Sequence, residues 1–298
     1  MLMPPVMYLH IGLHKTASTF LQNSVFPHLK ETVYLQPNRY LKDFFISLVY
    51  ERLTEKRVNE LQGMVSEVAV HEKNLLSNEA LSGHPLLRTG KTGEQLLKDL
   101  KKVFKAYDVK IILCLREQAS WLASVYKEYV RAGGVADFSG FMKSFDELCK
   151  HNFGKNMYEA YRYAPYVSLL HKHFGRKNVF VNTFEDFRSD PRAFTKSLAS
   201  FMGEPETPRI KQQKYYNRGY GEAQIRMARF ANRLFKTRMN PKGLIPLKIT
   251  PAIFGRGIFY RLFPEKFRLP IKWESYLRSR FEKDREELKK KYGISFGG

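Results

Sequence analysis

The sequence predicts an α/β fold with a parallel central sheet flanked by helices. Strand patterns and helix patterns alternate along the first two thirds of the chain, which is the order that builds a parallel sheet. The chain has 298 residues, 43% of them apolar, so it can bury a substantial core. No internal repeat or flexible linker interrupts it. We therefore predict one domain over residues 1–298, with a core at about 6–215 and a basic helical C-terminal extension at about 216–298.

Each predicted strand is a short apolar run, and each predicted helix places apolar residues three or four positions apart. A turn at 14–19 separates the first strand from the first helix. The strands are predicted at VMYLHIG (6–12), NLLSNEAL (74–81), VKIILCLRE (109–117) and NVFVNTFEDF (178–187). The helices are predicted at 20–29, 40–70, 92–107, 119–134, 157–174, 190–203 and 273–293.

Capping residues support several of these helix ends. Thr92 is placed to cap the third helix, a double glycine closes the fourth, and Pro191 lies in the first turn of the sixth. After Tyr215 the pattern becomes irregular, and 249–273 contains three prolines and has no clear period. The sequence therefore predicts irregular structure between the core and the last helix.

Positive charge is concentrated in the second half of the chain. The formal net charge is +22, from 51 basic and 29 acidic residues. Residues 1–150 hold 20 basic and 16 acidic residues, whereas residues 151–298 hold 31 and 13. Such a field favours anionic partners: nucleic acid, anionic lipid, or a phosphorylated or sulfated small molecule. Charge alone does not choose among them.

Several classes of protein are disfavoured. Two cysteines, Cys114 and Cys149, are too few for a disulfide framework or a metal knuckle. No apolar run approaches the roughly 18 residues of a membrane span, and no basic leader precedes an apolar segment at the N-terminus. We expect a cytoplasmic protein.

The first strand is followed by a polar loop, GLHKTAST, and then by a helix. This arrangement is typical of phosphate sites, because the unpaired amides and the dipole of a helix start attract an anion, and Lys15 adds a full charge. The pattern G-x-x-x-x-G-K-[ST] is absent, since His14 precedes Lys15. A surface turn with an incidental lysine is the alternative. Three hydroxyl side chains adjoin the lysine: Thr16, Ser18 and Thr19.

A second candidate anion site lies at the end of the strand predicted at 109–117. Arg116 ends this strand, and Ser124 follows eight residues later. Ligands of parallel sheets bind beyond the carboxyl ends of strands, so this guanidinium and hydroxyl can hold one phosphate together. A kinase more often has an Asp at such a strand end to hold Mg²⁺. A structural salt bridge from Arg116 to Glu117 or Glu185 is the alternative.

Three segments in this order resemble the sulfotransferases that use 3′-phosphoadenosine 5′-phosphosulfate (PAPS). They are HKTASTFLQ, LREQASWLAS with its R-x₇-S spacing, and GRKNVFVNTFEDFRSDPRAF…FMG. The similarity covers roughly residues 6–204 and implies a P-loop-like three-layer fold. Ala17 departs from the glycine of many members, a variant that resembles carbohydrate and glycolipid sulfotransferases.

The resemblance also implies roles in donor binding. Lys15 would contact the bridging oxygen of the transferred sulfuryl group, and Arg116 and Ser124 would hold the 3′-phosphate. The late nucleotide segment of the cytosolic members is not evident, and NRGYG supplies the substitute candidates Asn217 and Arg218. FEDF is expected to be structural. The loop around the 5′-phosphosulfate would consist of Lys15, Thr16, Ala17, Ser18, Thr19 and Phe20.

Sulfuryl transfer needs positive charge at the leaving oxygen and a base at the acceptor hydroxyl. Lys15 and the loop amides can supply that charge without a metal. Glu79, near the end of the second predicted strand, is the first candidate base, and a capping or salt-bridging carboxylate is its alternative. His14 is the second candidate, although its side chain could point into the sheet. His10 is expected to pack in the core, and no role follows for His84.

The basic extension is either a solvated surface or a binding face for an anionic acceptor or an anionic membrane. We favour the binding face, because aromatic and basic residues interleave there. These residues are Phe254, Arg256, Ile258, Phe259, Arg261, Leu262, Phe263 and Lys266.

We therefore predict a PAPS-dependent sulfotransferase that acts on a hydroxyl of a carbohydrate or glycolipid, in the cytoplasm and with peripheral contact at the inner face of the membrane. A P-loop small-molecule kinase is the first alternative, which the missing G-K-[ST] and strand-end Asp disfavour. A basic nucleic-acid-binding protein is the second, which only the net charge of +22 suggests. The acceptor itself cannot be read from the sequence.

Overall fold

A computed structural model of the chain describes residues 3–208, 220–237, 239–245 and 265–297. Its centre is a five-stranded parallel sheet in the order β2-β3-β1-β4-β5, which confirms the predicted α/β class. The short strand β2 is an addition to the predicted set. The strands are β1 (Val6–Gly12), β2 (Val33–Tyr34), β3 (Lys73–Ser77), β4 (Asp108–Leu115) and β5 (Val179–Thr183).

Helices cover the sheet, and a π-helix (Leu21–Val25) and a 3₁₀ turn (Phe26–His28) extend the first of them. The α-helices are α1 (Ser18–Phe20), α2 (Arg39–Tyr50), α3 (Glu55–Val68), α4 (Gly93–Val103), α5 (Gln118–Arg131), α6 (Phe138–Phe153), α7 (Met157–Ala160), α8 (Tyr163–Phe174), α9 (Phe184–Ser189), α10 (Pro191–Phe201), α11 (Glu222–Leu234), α12 (Ile271–Arg280) and α13 (Glu282–Tyr292).

Strand β1 separates two apolar cores. Met7 and Leu9 enter the larger core, whereas Tyr8 enters the smaller core with Phe20 and Leu198. Successive side chains of a strand point to opposite faces, so a strand covered on both sides must be apolar at nearly every position. This requirement explains the continuous apolar run of β1.

Two predicted elements in the first half are too long. The helix predicted at 40–70 is divided into α2 and α3, because the Thr54 side chain accepts a hydrogen bond from the Arg57 amide at 3.2 Å and starts a new helix. The strand predicted at 74–81 ends at Ser77. There the Asn78 side chain accepts a hydrogen bond from an amide of the 3₁₀ turn Glu79–Ser82.

Three predictions in the second half are also wrong. The strand predicted at 178–187 stops at Thr183, whose hydroxyl caps α9 by accepting a hydrogen bond from the Asp186 amide at 3.0 Å. FEDF is therefore helical. Helix α11 lies in the region predicted to be irregular, and the helix predicted at 273–293 is divided into α12 and α13 at Phe281, a buried core residue. Helix α6, in addition, was absent from the predicted elements.

The C-terminal helices contact the helices that follow β4. Asp284 of α13 accepts hydrogen bonds from the backbone amides of Tyr163 and Ala164 at 2.8 and 3.1 Å, and from the Gln118 side chain at 2.9 Å. This buried carboxylate joins α13 to the starts of α5 and α8. Within the described ranges, no helix has both the length and the apolar character to cross a membrane.

Candidate active site

Three adjacent strand ends carry the predicted site residues. Strand β1 leads into the loop 13–17, β3 leads to Glu79, and β4 leads to Arg116. The carboxyl ends of neighbouring parallel strands meet at one edge of the sheet, where ligands of such folds bind. Segments that are far apart in the sequence therefore form one site.

The loop 13–17 has a backbone suited to an anion. Lys15 and Ala17 are left-handed, with φ of 67° and 71°. Left-handed residues can turn neighbouring amides toward one side and create an anion-binding concavity. The Thr16 hydroxyl donates to the Leu13 carbonyl at 2.6 Å and closes the loop. Since a Cβ makes the left-handed region costly, by about 1–2 kcal/mol per residue, glycine would fit position 17 at least as well.

Helix α5 holds this loop from one side. The Trp121 indole donates to the His14 carbonyl at 2.8 Å. The Lys15 ammonium lies 3.2 Å from a carboxylate oxygen of Glu128, and both side chains are 30% exposed. Glu128 also pairs with Arg131 at 3.0 Å. The loop lysine is thus paired with an acid from the facing helix.

Arg116 is held by neutral groups. Its Nε donates to the Ser120 hydroxyl at 2.8 Å, its Nη1 donates to the Lys15 carbonyl at 3.2 Å, and its guanidinium lies 4.4 Å from the centre of the Phe184 ring. Burial lowers the pKa of Arg116, while the nearby charge of Glu185 raises it. Among the described residues the guanidinium forms no salt bridge, so the salt-bridge alternative is not what the structure has.

Ser124 and a second lysine share the face of α5 that meets the loop. Ser120, Ser124, Lys127 and Glu128 follow one another at helical spacing, and the first and last of them contact Arg116 and Lys15. Ser124 is buried, and its hydroxyl forms no hydrogen bond within the described part of the chain. In the ligand-free protein Arg116 is thus hydrogen-bonded to Ser120, and Ser124 lies one helical turn after Ser120 on α5.

Lys127 is a site residue that the sequence analysis missed. Burial, with the charges of Arg116 and Lys15, lowers the pKa of Lys127 to about 8. Its spacing of three residues from Ser124 was the available signal, but one lysine on an amphipathic helix does not stand out from solvated lysines.

Glu79 lies against the loop from the β3 side. A Cβ added to Gly12, whose φ is +102°, would be 3.1 Å from the Glu79 Cα, so glycine at position 12 permits this close approach. Burial raises the pKa of Glu79, while the Ser18 hydroxyl and the charge of Lys15 act against that rise. Glu79 is therefore a half-buried carboxylate beside the loop lysine.

A cavity of about 230 Å³ lies beside Asn78 and Ala80, the chain neighbours of Glu79. The rings of His14 and His84 lie 4.7 Å apart in its wall. Burial, His84 and Lys15 lower the pKa of His14 to about 3, so its imidazole is neutral. His14 thus lines the cavity instead of entering the sheet. The full lining is His14, Lys42, Phe45, Ile46, Val49, Tyr50, Asn78, Ala80 and His84.

Other predicted residues have different positions. His10 is fully buried, and its Nδ1 lies 2.7 Å from the Ser77 hydroxyl, which confirms the core prediction. Phe20 packs on Phe187 with ring centres 4.8 Å apart, and its amide donates to the Ala17 carbonyl. Thr19 is half-buried next to it. Asn217 and Arg218 lie outside the described residues.

The charges of the site fit a nucleotide that carries two phosphate groups. Lys15, Arg116 and Lys127 place three cations around one loop, and Ser124 adds a buried hydroxyl without a partner among the described residues. Positive charge of this kind binds phosphate and sulfate oxygens. In the described ranges, no group of three or more His, Cys, Asp or Glu side chains could hold a metal ion.

Comparison with solved structures identifies similar folds. A sulfotransferase from Alicyclobacillus acidocaldarius matches with a TM-score of 0.61 and 16% identity, over 99% of this chain and 98% of that chain. Mouse sulfotransferase SULT7A1 complexed with PAP matches with a TM-score of 0.44 and 13% identity, over 95% and 85%. The sulfotransferase domain from the curacin biosynthetic pathway matches with a TM-score of 0.41 and 13% identity, over 94% and 98%. At 16% identity, the first of these matches concerns the fold alone.

Comparison of sequences identifies the family. No curated protein sequence matches the chain. The profile of the sulfotransferase domain, however, matches residues 11–218, which include the loop lysine, Glu79, Arg116 and Ser124. This match covers more than half of the chain. It supports the sulfotransferase prediction over the two alternatives, a small-molecule kinase and a nucleic-acid-binding protein. The chain therefore belongs to the PAPS-dependent sulfotransferases, enzymes that transfer the sulfuryl group of PAPS to an acceptor.

Proposed function

We propose that the protein transfers the sulfuryl group of PAPS to a hydroxyl of a carbohydrate or glycolipid, with Glu79 as the general base. The observation that supports this most is that Glu79 lies beside Lys15 at the ends of β1 and β3, next to a cavity lined by their chain neighbours His14, Asn78 and Ala80. A donor at the loop and an acceptor in the cavity would be neighbours, with the Glu79 carboxylate beside the loop.

The donor half of the reaction is assigned to the β1 loop and to α5. PAPS, when bound, supplies a sulfuryl group on a phosphate leaving group. Lys15 moves from Glu128 to the leaving oxygen and stabilises the negative charge that develops there. Arg116 and Ser124 hold the 3′-phosphate. The remaining proposed donor ligands are the amides and hydroxyls of 16–20, with Asn217 and Arg218.

The acceptor half is assigned to Glu79. Its carboxylate accepts the hydroxyl proton as the acceptor oxygen bonds to sulfur and the bond between sulfur and the phosphate oxygen breaks. Burial raises the pKa of Glu79 toward the working pH, whereas the pKa of His14 falls to about 3. A group with so low a pKa holds a proton weakly, so these shifts favour Glu79 as base and His14 as an acceptor contact.

The size of the cavity is consistent with an acceptor whose hydroxyl is carried by a single sugar unit. Its volume of about 230 Å³ is below the roughly 300–1,000 Å³ of pockets that enclose whole drug-sized ligands. It would hold one terminal unit of a larger acceptor. Helix α2 contributes an apolar wall with Lys42 among its polar neighbours, while His14, Asn78 and His84 provide polar contacts on the opposite side.

We infer in addition that the protein contacts anionic membranes. Helix α11 exposes Met227, Phe230 and Leu234, spaced to share one face, and its exposed Arg226 and Arg233 flank them. Apolar side chains bordered by basic ones are typical of helices that lie in a lipid headgroup layer. Lys266 and Arg268 are exposed as well. Of the residues predicted for this role, those from 254 to 263 lie outside the described ranges.

The donor assignment is tested by calorimetry with adenosine 3′,5′-bisphosphate and with ATP-Mg²⁺. We expect binding of the bisphosphate and little binding of ATP, and the reverse order would refute the assignment. A screen with ³⁵S-labelled PAPS over polysaccharide and lipid extracts then tests the acceptor class. Label confined to small phenols or steroids would contradict a carbohydrate or glycolipid acceptor.

The membrane contact is tested by sedimentation with vesicles. The wild type should co-sediment with anionic vesicles at low salt and much less with zwitterionic ones. Phe230→Ser with Arg226→Gln and Arg233→Gln should remove this difference. The control is Lys101→Gln with Lys105→Gln, which removes exposed charge from the α4 region. Equal losses in both variants would indicate unspecific attraction by net charge.

A further inference from the structure

Lys127 is a half-buried cation without a carboxylate partner. It forms no salt bridge within the described part of the chain, and the residues outside those ranges include no Asp or Glu. An ammonium group loses hydration when it is buried, and proteins usually compensate that loss with an opposite charge. The missing partner at Lys127 therefore points to a ligand.

The position of Lys127 limits what this ligand can be. Lys127 is three residues after Ser124 on α5 and one residue before Glu128, the partner of Lys15. After burial, the charge of Arg116 lowers the pKa of the Lys127 ammonium most, followed by the charge of Lys15. Three cations near enough to influence one another, with the Ser124 hydroxyl on the same helix, suit an anion of more than one charge.

We propose that Lys127 is a third cationic ligand of the donor site and binds the 3′-phosphate of PAPS together with Arg116 and Ser124. The inference rests on the proposed donor site, because Arg116 and Ser124 are assigned to the 3′-phosphate there. It extends the R-x₇-S pattern by one helical turn, so that α5 contributes a hydroxyl and an ammonium to the same phosphate.

The surroundings of Lys127 make its protonation sensitive to that phosphate. Arg116 faces it from the end of β4 and Lys15 from the loop, while Glu128 and Arg131 are its charged neighbours on α5. Without ligand its pKa is about 8. A phosphate dianion favours the ammonium form and raises this pKa. At a pH between the pKa of Lys127 in the free protein and its pKa in the complex, binding of the ligand is therefore accompanied by uptake of a proton by Lys127.

Calorimetry with adenosine 3′,5′-bisphosphate tests the proposal. At pH 9, where the phosphates are fully ionised, titrations in two buffers of different ionisation enthalpy should reveal uptake of up to about one proton by the wild type. Lys127→Met should abolish this uptake and weaken binding at pH 7 by roughly 10- to 100-fold. Lys127→Arg should retain binding without the uptake, because arginine stays charged.

Further arms separate the proposal from other outcomes. Lys143→Met, at an exposed lysine of α6, should leave affinity and proton uptake unchanged. Adenosine 5′-monophosphate should bind wild type and Lys127→Met alike, because it lacks the 3′-phosphate. Equal affinity of both proteins for the bisphosphate, or equal losses with both nucleotides, would overturn the proposal. A wild type that does not bind the bisphosphate would instead overturn the donor site itself.

Discussion

The ion pair between Lys15 and Glu128 leads to a prediction that runs against the usual effect of a mutation in an active site. The proposed donor role places the Lys15 ammonium at the leaving oxygen, but Glu128 holds it at 3.2 Å in the ligand-free protein. Binding of the donor must therefore break this pair. Glu128→Gln should then strengthen binding, because glutamine keeps the shape of the side chain and removes its competing charge.

The size of this effect follows from the exposure of the pair. Both side chains are 30% exposed, and Glu128 also pairs with Arg131 at 3.0 Å. Partly exposed ion pairs contribute about 0.2–1 kcal/mol, which corresponds to a gain in affinity of about 1.5- to 5-fold. The free energy of unfolding of the ligand-free protein should fall by a similar small amount. Salt screens such pairs, so the gain should shrink as ionic strength rises.

Titration calorimetry with adenosine 3′,5′-bisphosphate at low and high salt measures the gain, and denaturant unfolding measures the stability. Glu147→Gln is a control, because Glu147 pairs with Lys150 three residues along α6, as Glu128 pairs with Arg131 three residues along α5. A lower affinity in Glu128→Gln would refute the reasoning. It would mean that Glu128 orients Lys15 in the complex instead of competing for it.

Three further predictions concern the proposed roles directly. Lys15→Ala should lower the transfer rate by roughly 100-fold or more in a folded protein, measured by single-turnover kinetics, and near-normal turnover would refute the role of Lys15. Arg116→Ala should weaken binding of adenosine 3′,5′-bisphosphate by about 2 kcal/mol and barely change that of adenosine 5′-monophosphate, whereas equal losses in calorimetry would mark a structural residue. Glu79→Gln should slow transfer by roughly 10²–10⁴-fold with donor affinity retained. The wild-type rate should rise with pH through the raised pKa of Glu79, and Glu79→Gln should lose that rise. The same behaviour in His14→Ala, with Glu79→Gln unaffected, would exchange the two roles.

Local sequence patterns identified most of the sheet and the loop that follows β1. Continuous apolar runs marked β1 and β4, because strands covered on both faces must be apolar. Thr92 was recognised as a cap, and the structure adds a reciprocal bond in which the Gln95 side chain accepts from the Thr92 amide at 3.2 Å. These predictions did not need contacts between distant parts of the chain, since residues adjacent in the sequence determine these strands and this cap.

The wrong boundaries arose where a single side chain decides between strand and helix. The run ending in FEDF is rich in strand-forming residues, but the Thr183 hydroxyl and the Asp186 amide start a helix after β5. Asn78 has the same effect after β3. A cap of this kind depends on one side-chain hydrogen bond, and the spacing of apolar residues does not predict where that bond forms.

Partners across the fold could not be predicted from the sequence. Glu128 is 113 residues from Lys15, and on α5 it resembles any solvated acid. The neighbouring Lys127 likewise resembles a surface lysine until burial is known. His84 had no assigned role, because only packing places its ring against His14 in the cavity wall. Such residues acquire their chemistry from burial and from neighbours that another element supplies.

The order of the strands explains why the residues proposed for donor and acceptor meet at the β1 loop. Since β1 lies between β3 and β4, its loop has one neighbour on each side. On the β4 side, Arg116 donates to the Lys15 carbonyl, and α5 presents the cations and hydroxyls that suit a nucleotide. On the β3 side, Glu79 lies against Gly12, and α2 forms one wall of the cavity. A sulfuryl group at Lys15 would therefore lie at the boundary of the two halves, which is the placement that in-line transfer between them requires.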